Sequence, residues 1–174
     1  MPMQSLSNLS ARRANLAGAV GCVALLAYAY FSQFVLHLSP CPLCIFQRVG
    51  VLALGAVFIA AAAHDPRGGA RRAYAALVVL TAGATIAVAV RHLYIQSLPP
   101  GSVPVCGASL NFMIKVLPLS QVLSKVLNGS GECATINWRF LGLSMPAWVL
   151  ISSAVIGGFG IWANLRKLKP VLRF

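Results

Sequence analysis

Long apolar runs alternate with short polar and basic segments along this chain. Four runs stand out, over about residues 14–36, 45–63, 73–94 and 145–165. A helix rises about 1.5 Å per residue, so the first run would form a helix about 34 Å long. That length is enough to cross the ~30 Å hydrocarbon core of a bilayer. The pattern therefore predicts a single membrane domain, residues 1–174, with four transmembrane helices.

The composition is typical of a membrane protein. Hydrophobic residues make up 59% of the chain and charged residues only 9%, whereas soluble domains carry about 25% charged residues. The net charge is +12, because only Asp65 and Glu132 oppose fourteen Lys and Arg residues. In a soluble protein this charge would suggest nucleic-acid binding. Here the basic residues cluster at the ends of the apolar runs, so we expect them to set the topology and expect no nucleic-acid partner.

The basic residues also predict the orientation of the chain. Nine of them lie in the N-terminal tail, the 64–72 segment and the C-terminal tail. Four spans place these three segments on one side of the membrane, and loops rich in Lys and Arg stay in the cytoplasm. We therefore expect both termini to be cytoplasmic and the loops at residues 37–44 and 95–143 to face the opposite side.

The longer outer loop contains Cys106 and Cys133, with apolar and polar residues alternating between them. This alternation predicts a short amphipathic helix, interrupted at Pro118, that lies in the membrane interface. The approach to Cys106 is rich in Pro and Gly, at Pro99, Pro100, Gly101 and Pro104. These residues favour an extended and mobile segment. Aromatic residues flank the outer end of the last span, as in an interfacial belt: Trp138, Phe140 and Trp148.

Two cysteines three residues apart, Cys41 and Cys44, lie where a polar joint meets the second apolar run. Pro42 suits the first turn of a helix, so we expect Cys41 at or just before the helix start and Cys44 in its first turn. The partial positive charge of a helix N-terminus favours a thiolate over a thiol. Arg48 follows Cys44 by four residues, so both side chains share one helix face. This arrangement indicates a redox-active dithiol at a membrane boundary.

The outer cysteines allow three interpretations: two structural disulfides, one zinc site with four thiolates, or two redox-active pairs that exchange electrons. A Cys41–Cys44 bond closes a very short loop and adds little stability. Small zinc sites usually use two close ligand pairs, and Cys106 and Cys133 are too far apart in sequence for that pattern. Redox exchange is therefore favoured, and no metal is expected. Cys22 lies in the middle of the first span and is interpreted as a buried structural thiol.

Other charged residues help to exclude function classes. No Asp or Glu lies inside a span, which counts against a carboxylate proton relay or an ion carrier. Arg48 alone could be a residue that snorkels at a span end, but its position one turn beyond Cys44 favours a functional cation. Arg91 is interpreted as an interfacial anchor.

Two motifs resemble those of a known family. The first is Cys41-Pro-Leu-Cys44-Ile followed by Arg48, and the second is Trp-Arg-Phe-Leu-Gly-Leu-Ser-Met-Pro-Ala-Trp at residues 138–148. Together with four spans and a further cysteine pair, they resemble the DsbB family of bacterial inner-membrane disulfide-forming proteins. The resemblance covers most of the chain. It implies an all-α membrane protein, a four-transmembrane-helix bundle with a short interfacial helix in the second periplasmic loop.

The resemblance also implies an activity, that of a membrane thiol:quinone oxidoreductase. Such an enzyme reoxidises a DsbA-like periplasmic oxidase of thioredoxin fold and passes the electrons to ubiquinone or menaquinone in the membrane. The partner's thiolate would attack the Cys106–Cys133 disulfide at Cys106. Cys133 would then attack Cys41, and Cys44 would reduce the quinone.

The same resemblance implies roles for two further residues. Arg48 is expected to contact the quinone head group and to hold Cys44 as a thiolate, and His92 falls where the family has a histidine near the quinone. Two positions depart from the family pattern: Gln47, where family members often carry Glu, and Arg91, which makes this end of the site more basic.

Three rival interpretations can be distinguished from this one. Vitamin K epoxide reductases also pair loop cysteines with a membrane CxxC motif, but they carry it near the last span, whereas here it precedes the second. A quinone-independent adaptor that holds a partner by a structural disulfide would tolerate loss of Arg48. A transporter is disfavoured by the lack of buried charge.

Overall fold

The computed structural model describes residues 10–99, 102, 110–129 and 131–166. Four long helices are α1 (Ala11–Phe34), α2 (Pro42–His64), α3 (Gly69–Ser97) and α7 (Met145–Leu165). Three short helices lie between the last two, namely α4 (Leu110–Val116), α5 (Leu119–Asn128) and α6 (Gly131–Ala134). A two-stranded antiparallel hairpin, β1 (Arg139–Phe140) and β2 (Leu143–Ser144), leads into α7.

The four long helices pack into one bundle, and each is long and apolar enough to cross a membrane. Their outward faces remain apolar, with large side chains that are each at least 60% exposed: Val20, Leu52, Leu80 and Val155. Water would penalise such a surface, whereas lipid tails accommodate it. The predicted fold class, an all-α membrane bundle of four spanning helices, is confirmed.

The bundle core is built around Phe58 of α2, whose side chain is fully buried. Gly18 and Gly160 lie against its ring, and a Cβ atom at either position would come within 2.7 or 2.6 Å of it. Glycine at these positions therefore allows α1 and α7 to approach α2 closely. Cys22 belongs to the same core and is 1% exposed, so its predicted burial is confirmed.

Polar contacts close the bundle at the end where α1 begins. Asn15 and Asn164 are both buried and exchange two amide hydrogen bonds, of 3.3 and 3.0 Å. Arg71 of α3 donates to the carbonyl oxygen of Ala163 over 2.8 Å. These contacts join α1, α3 and α7 in an environment where unpaired polar groups are costly.

α3 extends beyond the apolar run at both ends. It begins at Gly69, so that Arg71 lies in the helix, and it continues to Ser97. Its 29 residues give a length of about 43 Å, more than the thickness of a hydrocarbon core. Its last turns lie level with the start of α7, where Gln96 contacts Ser144, and they place His92 beside the start of α2.

The segment before α6 contains the expected amphipathic helix, divided in two. α4 ends at Val116, and Pro118 caps the N-terminus of α5, which confirms the predicted interruption. Val122 and Val126 of α5 are fully or almost fully buried in a small core with Leu43 of α2. This packing fixes α5 against the N-terminal end of α2.

The β1–β2 hairpin was not predicted from the sequence. Leu141 and Gly142 form its turn, with φ angles of 51° and 79°. Two-residue hairpin loops require such positive φ values. The Nε1–H group of Trp148 donates to the carbonyl oxygen of Phe140 over 3.0 Å, so the hairpin is held against the start of α7.

Candidate functional site

The CxxC motif forms the N-terminus of α2. Cys41 is the N-cap residue, and its Sγ accepts a hydrogen bond from the backbone N–H of Cys44 over 3.4 Å. The two Sγ atoms lie 3.2 Å apart. Cys41 is 6% exposed, whereas Cys44 is only partly buried. The predicted placement, with Cys41 just before the helix and Cys44 in its first turn, is confirmed.

His92 of α3 lies beside this motif and is 2% exposed. Its Nε2 is 3.7 Å from Sγ of Cys41 and 3.2 Å from the carbonyl oxygen of Cys133. Its Nδ1 lies 3.2 Å from Nε2 of Gln47. An amide N–H can only donate, so Nδ1 accepts from Gln47 and Nε2 carries the ring proton toward Cys133.

Cys133 of α6 is brought to the same place from a distant part of the chain. It is 1% exposed. Its Sγ, the Sγ of Cys41 and a ring nitrogen of His92 all lie within 4.8 Å of one another. A cysteine of the segment between α3 and α7 is therefore close to the CxxC motif, a proximity that thiol exchange requires.

Arg48 is held by the last turns of α1. Its guanidinium donates to Oε1 of Gln33 and, over 3.0 Å, to the carbonyl oxygen of Ala29. It also lies 5.2 Å from the ring centroid of Tyr30, a cation–π distance. These contacts fix the cation one turn from Cys44 instead of leaving it to extend freely to the interface.

A cavity of about 430 Å³ opens beside these groups, a size typical of small-molecule sites. Its reactive and charged lining consists of Cys41, Cys44, Arg48, His92 and Glu132. Aromatic side chains line another part, namely Tyr28, Trp138, Phe140 and Trp148. The rest of the lining is largely apolar. Cys44 and Arg48 therefore face a pocket suited to a planar molecule with a polar edge.

The structure thus brings together five of the six residues singled out from the sequence: Cys41, Cys44, Cys133, Arg48 and His92. The sixth, Cys106, lies outside the described residues. Its expected pairing with Cys133 therefore remains a prediction.

Sequence reasoning missed several contributors to the site. Gln33, whose Oε1 accepts from Arg48, was not singled out from the sequence. Its signal would have been a polar side chain near the end of an apolar run. Gln96 of α3 accepts a hydrogen bond from Ser144 Oγ over 2.9 Å at the cavity lining, and nothing in the local pattern indicated this contact. Arg91, which was singled out from the sequence as an interfacial anchor, donates to the carbonyl oxygen of Leu127 over 2.7 Å and so connects α3 to α5.

A family model described as "Disulfide bond formation protein DsbB" matches residues 11–163 of the chain. The matched range includes every candidate site residue, the whole of α1, α2 and α3, and α7 as far as Ala163.

Curated relatives match over most of their length. A protein of Methylococcus capsulatus named "Disulfide bond formation protein B" is 46% identical over 160 residues, which cover 91% of this chain and 98% of the relative. Proteins with the same name from Marinobacter nauticus and Chromobacterium violaceum are 44% and 43% identical. Their alignments cover 86% and 92% of this chain, and 89% and 96% of the respective relatives.

Proposed function

Because the chain belongs to the DsbB family of disulfide bond formation proteins, we propose that it is a membrane thiol:quinone oxidoreductase that reoxidises a DsbA-like periplasmic oxidase of thioredoxin fold. One observation carries most of this proposal. Cys133 and Cys41 lie next to each other, at the lining of a cavity to which Cys44 and Arg48 also contribute. The site can therefore accept electrons from a loop cysteine on one side and pass them to a quinone bound in an apolar pocket on the other.

The residues around the cavity fit a quinone head group. Aromatic walls can stack on a flat ring, and the guanidinium of Arg48 can donate to a carbonyl oxygen. When bound, ubiquinone or menaquinone would supply a two-electron, two-proton acceptor that is available only from the bilayer. The cavity adjoins the apolar helices α1, α2 and α7, which gives a lipid-soluble molecule a route to Cys44.

Electrons would enter through the outer loop. A thiolate of the reduced partner attacks the Cys106–Cys133 disulfide at Cys106, and Cys133 leaves as a thiolate. Cys133 then attacks Sγ of Cys41 in the Cys41–Cys44 disulfide and expels Cys44 as a thiolate. The partner's second thiolate then attacks the partner–Cys106 disulfide, which releases the oxidised partner and leaves Cys106 as a thiolate. Cys106 attacks Cys133 in the Cys133–Cys41 disulfide, so that the Cys106–Cys133 bond re-forms and Cys41 leaves as a thiolate. Two electrons have then moved from the partner to Cys41 and Cys44.

Local structure supports the division of labour between the two membrane cysteines. Cys44 lies in the first turn of α2, where the helix dipole and the nearby Arg48 both favour its anionic form. The cavity is the place where Cys44 would give up the electron pair, after which the Cys41–Cys44 bond re-forms. Cys41 is the N-cap residue of α2, and its buried side chain lies next to Cys133.

His92 would act both on the Cys41–Cys133 pair and on the cavity. Its Nε2–H group lies near Cys41 Sγ and the Cys133 carbonyl, so it can donate to sulfur as negative charge develops there. The ring also contributes to the cavity lining. We therefore assign His92 to orienting Cys41 and to shaping the quinone pocket.

The proposed location is the bacterial inner membrane, with four passes and both termini in the cytoplasm. The distribution of basic residues supports this orientation. It places the CxxC motif and α4–α6 on the periplasmic side, where a soluble partner could reach them.

Quinone reduction by the purified protein, supplied with a reduced DsbA-like oxidase, tests this function. We expect loss of quinone absorbance with wild-type protein and none with Cys44→Ser. Cys44→Ser should still form a mixed disulfide with the partner at Cys106, which shows that the variant is folded. Absence of turnover with both ubiquinone and menaquinone, from a wild-type protein that forms this mixed disulfide, would contradict the proposal.

A further inference from the structure

Three potential metal ligands from three different elements converge at the site. Cys41 precedes α2, His92 belongs to α3 and Cys133 to α6, and all three are buried. Tetrahedral zinc, with Zn–S bonds of about 2.3 Å and Zn–N bonds of about 2.0 Å, requires ligand atoms about 3.5–3.8 Å apart. The Cys41 Sγ to His92 Nε2 distance is 3.7 Å, and the whole set lies within 4.8 Å. Shifts of about 1 Å would complete a zinc geometry.

A supporting partner for the histidine is already present. Histidines that bind metals usually donate the proton of the other ring nitrogen to an acceptor, which fixes the ring. Gln47 faces Nδ1 of His92 over 3.2 Å. Rotation of its amide would replace the donating nitrogen with the accepting Oε1. Gln47 can therefore support either ring tautomer, including the one that leaves Nε2 open to a metal.

The charges around the cluster also suit a divalent cation. Two thiolates neutralise Zn²⁺, and a neutral cluster is favoured in a buried site. Arg48 and Glu132 are the charged residues in the described lining of the cavity. Arg48 is turned toward Gln33 and Ala29 of α1, and Glu132 adjoins Cys133.

We propose that the fully reduced protein binds one Zn²⁺ ion through Cys41, Cys133 and His92. Binding releases the two thiol protons and moves no electrons. The oxidised protein cannot form this site, because a sulfur in a disulfide is no longer a thiolate ligand. The bound ion would also occupy the Cys41 and Cys133 thiolates that disulfide exchange requires, and so would inhibit turnover. The inhibition rests on the proposed function, whereas the binding does not.

The binding test uses the full-length protein in detergent, reduced with a phosphine. Zn²⁺ is titrated against a chromophoric chelator, and Co²⁺ serves as a spectroscopic probe through its thiolate charge-transfer absorption. We expect one ion and two released protons per chain, with no binding after oxidation. Cys133→Ser and His92→Ala should lose the site. Gln47→Leu should weaken Zn²⁺ binding by about 10- to 100-fold.

Another cysteine variant is the matched control. Cys22→Ala removes a thiol from the bundle core and should bind Zn²⁺ with unchanged affinity. Unchanged affinity in Cys133→Ser and His92→Ala would overturn the assignment. The same holds for an absence of binding by a reduced wild-type protein whose circular dichroism shows intact helices.

A separate assay follows quinone reduction with and without Zn²⁺. We expect turnover to be lost on Zn²⁺ addition and restored by a chelator. Turnover that continues with the ion bound would overturn the inhibitory role. A protein that binds Zn²⁺ but never reduces quinone would contradict the proposed function and still support the metal site.

Discussion

Gln47 places an uncharged amide in a buried position against the ring of His92, with only 2% of the glutamine exposed. Because the pair is buried, loss of either partner would lower the stability of the protein: no water molecule can replace the lost hydrogen bond. In the observed orientation, the amide nitrogen of Gln47 faces Nδ1 of His92 over 3.2 Å, which favours the ring proton on Nε2. Gln47 therefore has a specific structural role beside His92.

Replacing Gln47 tests its hydrogen bond to His92. Gln47→Leu should lower the free energy of unfolding by about 1–3 kcal/mol, because Nδ1 of His92 would be buried without a partner. Chemical denaturation in detergent micelles measures the change. Gln96→Leu is the matched control, since Gln96 is only partly buried and should cost less. An equal or smaller effect for Gln47→Leu would contradict the assigned hydrogen bond.

A second prediction for a single residue concerns Arg48. Arg48→Ala should raise the KM for quinone roughly 10- to 100-fold, the loss typical of a hydrogen bond to a charged group. Steady-state kinetics at saturating partner would measure it. Arg91→Ala removes a guanidinium that contacts Leu127 and Tyr94 and should leave this KM unchanged. Similar effects of both variants would mean that general charge, and not the position of Arg48, governs quinone use.

At the scale of helices, close packing around Phe58 is a checkable feature of the bundle. A Cβ atom at Gly160 would meet both the Phe58 ring and Val78, whereas one at Gly158 would meet nothing within 4 Å. Gly160→Ala should therefore destabilise the protein by about 1–3 kcal/mol through overpacking.

Gly158→Ala is the control for this substitution, because both changes add the same methyl group to the same helix. It should be neutral or stabilise the protein by up to about 1 kcal/mol, since Ala favours helix more than Gly. Thermal unfolding in detergent would compare the two. Equal midpoints would contradict the described packing between α7 and α2.

Local sequence signals predicted the helices well, for physical reasons that act over a few residues. Pro42 indicated where α2 begins, and Pro118 indicated the break between α4 and α5, because proline restricts the backbone directly. The approach of Cys133 to Cys41 could not be predicted in this way. It depends on how α5 and α6 pack on α2 and α3, and no local pattern specifies that contact.

The hairpin illustrates the same limit. Its strands have two residues each, too few to show the alternation that identifies a strand in sequence. Gly142 was the available signal, since it adopts a positive φ in the turn. The aromatic residues around it were expected as an interfacial belt, and the structure adds that three of them line the cavity: Trp138, Phe140 and Trp148.

For the whole molecule, the orientation in the membrane is the main untested prediction. A fluorescent protein fused to the C-terminus should fluoresce, because its cytoplasmic location permits folding. Alkaline phosphatase fused there should be inactive, and phosphatase inserted after residue 129 should be active. The opposite pattern would place the CxxC motif in the cytoplasm and contradict the proposed encounter with a periplasmic partner.

The paired amides of Asn15 and Asn164 have a consequence for biogenesis. They belong to the first and last long helices, so neither amide can find its partner until nearly the whole chain has been synthesised and inserted. Until then the Asn15 amide has a partner only within its own helix, the carbonyl oxygen of Ala11 at 3.0 Å, and its Oδ1 atom favours further helix association. We therefore expect this contact to form late in assembly, and chains truncated before residue 164 should be degraded faster than the full-length chain by membrane quality-control proteases.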